Sequence, residues 1–388
     1  MEPLTHFLTG ACISRAAGLN RKTALATATC VLAAEAADID VFAYLRGPIY
    51  GFAHHRGITH SFVAVPFVAG LVLAFIYLLW RLRVPHPGPV LARVGPERVP
   101  HPSPVLARVG VFGGADPAKA PRWPLLYGFA CIAALSHILL DYTNSYGIRP
   151  FEPFSYKWYS WDIVFIFEPV LYIIFFAGLA LPSLFALINE EIGVRGRGAR
   201  GRTGAVVALL LVLALWGLRD YQHRRALAAL DARLYHGAEP LRVSAYPYYF
   251  NPFKWYGVVE TETFYDRVIV NSFTPEVDPE GRAQTRFKRP ETDVTDAAKD
   301  TYLGRVYLDW AQYPVTEVER LAAPSPGYLV RFYDLRFDYP DQRPRRGVTL
   351  GARVLLNDSL HPVAEYFGMR IQRPDLMGPQ QDNGGASK

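Results

Sequence analysis

The stretch Ser61–Trp80 carries no charged side chain. At about 1.5 Å rise per residue a helix of that length covers the roughly 30 Å hydrocarbon core of a bilayer. It predicts a spanning helix, so the chain must be organised by a membrane rather than by one aqueous core. Three more segments qualify: Trp123–Leu140 with a His inside, Ile163–Ile188 with a Glu inside, and Thr203–Leu218, which its flanks extend. Leu4–Ser14 and Thr23–Ala34 are shorter, and Gly18-Leu19-Asn20 joins them. They read as a helical hairpin that enters the membrane and returns, either spanning or re-entrant. Met1-Glu2-Pro3 puts no basic residue ahead of the apolar ones, so no cleaved signal peptide is expected.

Composition agrees. With 51% hydrophobic and 20% charged residues the chain is neither disordered nor collagen-like. Its net charge of +6 comes from short Arg-rich loops between apolar segments, which suits membrane topology and not nucleic-acid binding. Cys12, Cys30 and Cys131 lie in apolar stretches without a C-x-x-C and read as small buried hydrophobes.

From Leu241 onward the pattern changes. Lys254–Tyr265, Gly327–Phe337 and Val348–Leu356 mix β-branched and aromatic residues in near-alternation between Pro, Gly, Asn and Asp clusters, which predicts strands. The expected fold class is an α-helical polytopic membrane protein, a helical hairpin plus about four spanning helices, with a C-terminal β-rich extramembrane domain. Residues 1–220 form the membrane domain, 221–240 a linker, 241–372 the β-rich domain and 373–388 a disordered tail. Within 81–122, Val84–Gly95 recurs as Val99–Gly110, a proline-rich tandem repeat read as an extended linker. Duplication accounts for His86 and His101, so they are set aside. The aromatics Tyr246, Tyr248, Tyr249, Phe253, Trp255 and Tyr256 fit a hydrophobic core or an interfacial anchor.

Basic residues set orientation. The segment 81–122 carries Arg81, Arg83, Arg93, Arg98, Arg108, Lys119 and Arg122, and 189–203 carries Arg195, Arg197, Arg200 and Arg202. These loops are expected in the cytoplasm. The opposite loops, 37–60 and 142–162, hold only Arg46, Arg56, Arg149 and Lys157 and are expected outside, together with the β-rich domain.

The unusual polar residues fall at that outer face. His6 opens the first helix, and Glu35, Asp38 and Asp40 close the second. His54, His55, Arg56 and His60 precede the first long span, whereas His137, Asp141 and Asn144 end the next. Asp162 and Glu168 open the third. His137 and Asp141, spaced i, i+4, stack on one helical face and can reach one ion. Asp38 and Asp40 either share that ion, or one supports a ligand from behind. Imidazoles and carboxylates without thiolate suit zinc, with manganese or iron as alternatives.

These residues also carry a resemblance. Thr5-His6, Asp38-Ile39-Asp40, His55-Arg56-Gly57-Ile58-Thr59-His60-Ser61, His137 with Asp141, and Asp162 with Glu168-Pro169 resemble the YdjM-like family of bacterial inner-membrane proteins. That family is described as membrane-bound metal-dependent hydrolases and is associated with the LexA regulon. The likeness spans about residues 1–220. Phe250-Asn-Pro-Phe-Lys-Trp255 and Tyr333-Asp-Leu-Arg-Phe337 look like the outer domain of its longer members. Ala37 stands where a proline usually precedes Asp-x-Asp, and Glu168-Pro169 where Asp-Pro is usual.

The expected function is therefore hydrolysis of an ester or phosphoester, of lipid or lipid-linked type, at the outer interface. One or two metals are held by a subset of His6, Asp38, Asp40, His55, His60, His137 and Asp141. A metal lowers the pKa of bound water towards about 7. Asp162 or Glu168 takes the proton, and Arg56 steadies negative charge. The alternatives are an ion- or proton-coupled transporter using the same cluster, and a non-enzymatic scaffold whose β-rich domain binds a partner.

Overall fold

The computed structural model describes residues 1–83, 121–191, 201–248, 250–323, 326–339 and 350–368. The tandem repeat and the tail lie outside them. The chain divides into two compact units, the first made of Met1–Val41, Arg56–Arg224 and Tyr246–Pro252, the second of Phe42–His55, Arg225–Ala245 and Phe253–Lys388. In chain order the described helices are α1 (Pro3–Ala16), α2 (Leu19–Lys22), α3 (Ala26–Glu35), α4 (Pro48–His54), α5 (Ala64–Arg83), α6 (Trp123–Tyr142), α7 (Pro169–Glu191), α8 (Arg202–Asp231), α9 (Asp293–Lys299) and α10 (Tyr302–Trp310).

The first unit is helical. Pro3 starts α1, where its missing N–H costs nothing. Gly18, at φ +66°, lets the chain reverse through α2 into α3. The hairpin closes tightly because Gly10 has no side chain: a Cβ there would lie 2.6 Å from the Cys30 carbonyl oxygen. A similar contact joins α7 to α8, where a Cβ on Gly178 would lie 2.7 Å from the Gly204 carbonyl oxygen. Small residues that let backbones touch are the usual device of membrane helices, since lipid offers no hydrophobic drive to bring apolar faces together.

Helix α5 shows both faces of that design. Ala69, Val72 and Ile76 are buried against Cys30, Leu126, Ala130 and Ala133. Phe67, Leu71, Phe75, Leu78 and Leu82 are exposed along the opposite side, an apolar stripe suited to acyl chains. Among the described residues three helices are long and apolar enough to cross a membrane: Ala64–Leu82, Trp123–Tyr142 and Arg202–Asp231. Pro169–Pro182 is a shorter apolar helix. Expected to begin at Ile163, this segment turns helical only at Pro169, because proline disfavours helical backbone in the residue before it. The last span runs beyond Leu218 to Asp231, so much of the expected linker is helix, built of good helix formers such as Arg224-Arg225-Ala226-Leu227.

The second unit holds two sheets. Strands β1 (Arg242–Pro247), β2 (Lys254–Glu260), β3 (Phe264–Asn271), β4 (Glu276–Val277) and β5 (Gln284–Phe287) form one, with β3 between β2 and the pair β4 and β5. The stretch Lys254–Tyr265 is thus a hairpin rather than one strand. It turns at Thr261, which accepts from and donates to Phe264. Strands β6 (Pro314–Leu321), β7 (Gly327–Asp334), β8 (Gly351–Asn357) and β9 (Pro362–Gly368) form an antiparallel meander. Helices α9 and α10 were not expected, although Thr292 and Thr301 cap them through Thr295 and Gly304. Trp255 and Tyr256 are fully buried, which settles their role as core. Helix α4 packs here too: Phe52 stacks on Phe367 at 4.1 Å between ring centroids and meets Trp310 edge-on at 5.3 Å.

Two tests follow from this packing. Gly10→Val forces a side chain into the Cys30 carbonyl and should destabilise the protein by at least about 1–3 kcal/mol. Gly70→Ala, with open space around it, should be neutral or stabilising by up to about 1 kcal/mol in thermal melts of the detergent-solubilised chain. The second concerns Tyr256, whose hydroxyl donates to the Leu335 carbonyl at 2.7 Å. Burial pushes its phenol well above the ordinary 10.0. A neutral group with a raised folded pKa contributes fully below the unfolded value and loses its contribution as the unfolded chain ionises. Denaturation of the wild type should therefore become easier above pH 10. Tyr256→Phe should lose about 1–3 kcal/mol at neutral pH, from the unpaired carbonyl, and show a flatter alkaline decline.

Candidate metal centre

Four side chains of the first unit converge. Asp38 lies in the 3-10 helix Ala36–Arg46 that continues α3, and His60 ends the 3-10 turn Ile58–His60 just before α5. His137 and Asp141 come from the last turn and a half of α6. His60 Nε2 lies 3.5 Å from Asp38 Oδ1, 3.4 Å from Asp141 Oδ2 and 3.1 Å from His137 Nε2. His137 Nε2 is 3.6 Å from both Asp38 Oδ1 and Asp141 Oδ2. Four donors about 2.0–2.1 Å from a tetrahedral ion would stand about 3.3–3.4 Å apart. The measured edges bracket that value. Asp141 Oδ2 is also buried without a hydrogen-bond partner, as an atom reserved for an ion would be. Among the described residues this is the group of His and Asp whose donor atoms lie close enough to hold a metal.

The imidazoles are oriented from behind. His137 Nδ1 lies 2.6 Å from the Ala34 carbonyl, which makes Nδ1 the protonated nitrogen and leaves the Nε2 lone pair facing the group. His60 Nδ1 lies 3.4 Å from Asp40 Oδ2. The Asp-x-Asp pair thus brackets one ring, Asp38 at Nε2 and Asp40 at Nδ1, so Asp40 supports His60 and does not enter the group.

Arg56 ties these pieces together. Its backbone N–H donates to Asp40 at 2.7 Å, and its guanidinium donates to Asp141 Oδ1 at 3.0 Å and to Asn144 Oδ1 at 3.1 Å. The residue adopts φ +53°, an unusual conformation for a non-glycine that aims backbone and side chain at two different aspartates. The Met1 α-ammonium also pairs with Asp141 Oδ1. His6 lies 3.4 Å from that oxygen and stacks on His137 at 3.8 Å between centroids.

Other expected residues lie elsewhere. His55 belongs to the second unit, its ring edge-on to Tyr44, and is no member of the group. Glu168, fully buried, accepts from Arg219 Nη2 at 2.6 Å. Asp162 sits at φ +59° in a segment whose neighbours Trp161, Ile163 and Val164 donate to the Tyr142 and Thr143 carbonyls. Sequence reasoning placed Asn144 at the outer face without giving it a role, and did not single out Arg219. Arg219 had a signal, a cation that directly follows the apolar run of a candidate membrane helix.

Against known proteins, the chain is 25% identical over 304 residues to the uncharacterized protein YfhP of Bacillus subtilis (strain 168), covering 78% of this chain and 74% of that one. No solved structure matches. Residues 1–226 match the model of the YdjM inner membrane protein family. That match takes in every residue of the candidate centre and more than half of the chain, so this protein belongs to the YdjM inner membrane protein family.

Proposed function

We propose that this protein is a membrane-embedded, metal-dependent hydrolase that cleaves an ester or phosphoester in a lipid or lipid-linked substrate. One observation carries the reading: the quartet of Asp38, His60, His137 and Asp141, with donor spacings of 3.1–3.6 Å around an unpartnered carboxylate oxygen. Two imidazoles and two carboxylates favour zinc, with manganese or iron as alternatives. A divalent metal held there supplies a Lewis acid and activates water at neutral pH.

The chain's own residues do the rest. Arg56 holds Asp141 by one oxygen and keeps the other free to ligate. The Asp38 side chain is 31% exposed while those of His60, His137 and Asp141 are at most 1% exposed, so substrate approaches from the Asp38 side. Glu168 is committed to Arg219 by an ion pair at 2.6 Å, which removes it as the proton acceptor. Ile39 and Val41 beside Asp38, and Ile58 and Phe62 beside His60, are exposed apolar side chains that suit an amphiphile arriving from the bilayer. The cluster gathers at helix ends rather than at mid-depth, which favours a catalytic pocket over an ion path. The distribution of Lys and Arg among the loops supports that end and the C-terminal domain lying outside the cytoplasm.

Full-length protein in detergent should carry a divalent metal that His137→Ala loses, while Asp40→Asn should bind it about 10–100-fold more weakly. Wild type should turn over members of a panel of lipid esters and phosphoesters, and His137→Ala should lose that activity with its metal. Equal trace metal in wild type and His137→Ala, or loaded wild type that cleaves no member of the panel, overturns the reading. A reporter fused after Lys388 should be active only outside the cytoplasm; activity inside reverses the orientation.

A further inference from the structure

The second unit holds a cavity of about 730 Å³, lined by β5 and the segment that follows it, by α9 and α10, and by β6. Hollows of about 300–1,000 Å³ are the size that takes up small organic ligands. The charge of this one is one-sided. Arg286, Lys288, Arg289 and Lys299 line it against a single carboxylate, Glu291. Glu317 accepts from Arg286 at 2.6 Å and Glu260 from Lys288 at 2.9 Å, but neither acid is part of the lining, so both cations are anchored from outside the cavity. Lys299 pairs with Glu291 and, at 3.6 Å, with Asp296, and both acids are exposed. Exposed pairs of that kind contribute little and give way to a competing anion. Arg289 is exposed and has no hydrogen bond or ion pair among the described residues. A free guanidinium beside a cleft lined mainly by one sign of charge is a ready receptor for a carboxylate or phosphate, which it grips through two parallel N–H bonds. Much of the remaining wall is apolar: Val294, Leu308 and Val318 are half-buried there, a surface that an inorganic anion could not cover.

We propose that this cavity binds an organic anion with an apolar body, its charge met by Arg289 and its hydrocarbon laid against Val294, Leu308 and Val318. The site lies wholly in the second unit and shares no residue with the metal centre. It goes beyond the hydrolase reading, because it gives the C-terminal domain a ligand of its own.

Equilibrium dialysis of radiolabelled hexyl phosphate against the metal-free, full-length protein in phosphatidylcholine nanodiscs tests the site, with empty nanodiscs as the blank. Wild type should take up the probe above the blank, and Arg289→Ala, a change at an exposed position, should weaken uptake about 10–100-fold. Val318→Glu, which sets a carboxylate into the apolar wall, should abolish it. Inorganic phosphate and hexanol each carry half of the chemistry and should compete at least about 10-fold more weakly than unlabelled hexyl phosphate. His137→Ala should bind the probe as wild type does, which separates this site from the metal centre. Uptake no greater than the blank, or unchanged by Arg289→Ala, overturns the proposal. Inorganic phosphate competing as well as hexyl phosphate overturns the apolar half of it, and hexanol doing so overturns the anionic half. Loss of binding in His137→Ala would assign the probe to the metal centre and overturn the second-unit site, leaving the hydrolase reading untouched.

Discussion

A carboxylate with no access to water, near the end of a membrane helix, is tolerated only where positive charge surrounds it. Asp141 is that group, and the architecture of the first unit is arranged around it. One of its oxygens meets the Arg56 guanidinium, the Met1 ammonium and His6. The other faces the His60 and His137 imidazoles and accepts no hydrogen bond. The left-handed backbone at Arg56 and the partner Asn144 follow from the need to bring a guanidinium to this point. A neutral residue at 141 would leave Arg56 buried without its counter-charge, the more damaging half of a broken pair.

Delivery of these groups depends on how closely the helices approach. The hairpin of α1 and α3 sets His6 and the Ala34 carbonyl on either side of His137, and it can do so only because Gly10 and the alanines of α3 and α6 let backbones come near. Farther along, Gly178 and Gly204 do the same for α7 and α8. That pairing carries Arg219 to Glu168, a second buried ion pair in the same bundle. Packing by small residues and neutralising of buried charge are thus one problem: the ion pairs require short distances, and glycine supplies them.

Much of this was legible in the sequence. The i, i+4 spacing of His137 and Asp141 fixes a shared helical face, and the uncharged run after His60 fixes where a helix must begin. The pairing of Asp38 and Asp40 was not decidable, because side chains two apart diverge on a regular helix. Only the tighter 3-10 path and the ring of His60 between them assign each its nitrogen. The partnership of Glu168 with Arg219 was hidden because 51 positions separate them, a distance no local pattern spans. In the second unit the strands were readable from alternation, but α9 and α10 are short and depend on threonine caps, a weaker signal than periodicity.

The stacking of Phe52 on Phe367 has a consequence for biosynthesis. Helix α4 emerges early from the ribosome, whereas the ring that covers it belongs to the last described strand, β9. At roughly 5–20 residues per second the wait between them is on the order of 15–60 s. Trp310 reaches Phe52 sooner, but the Phe367 ring comes last, so the chain must be nearly finished before the native packing around α4 in the second unit is complete.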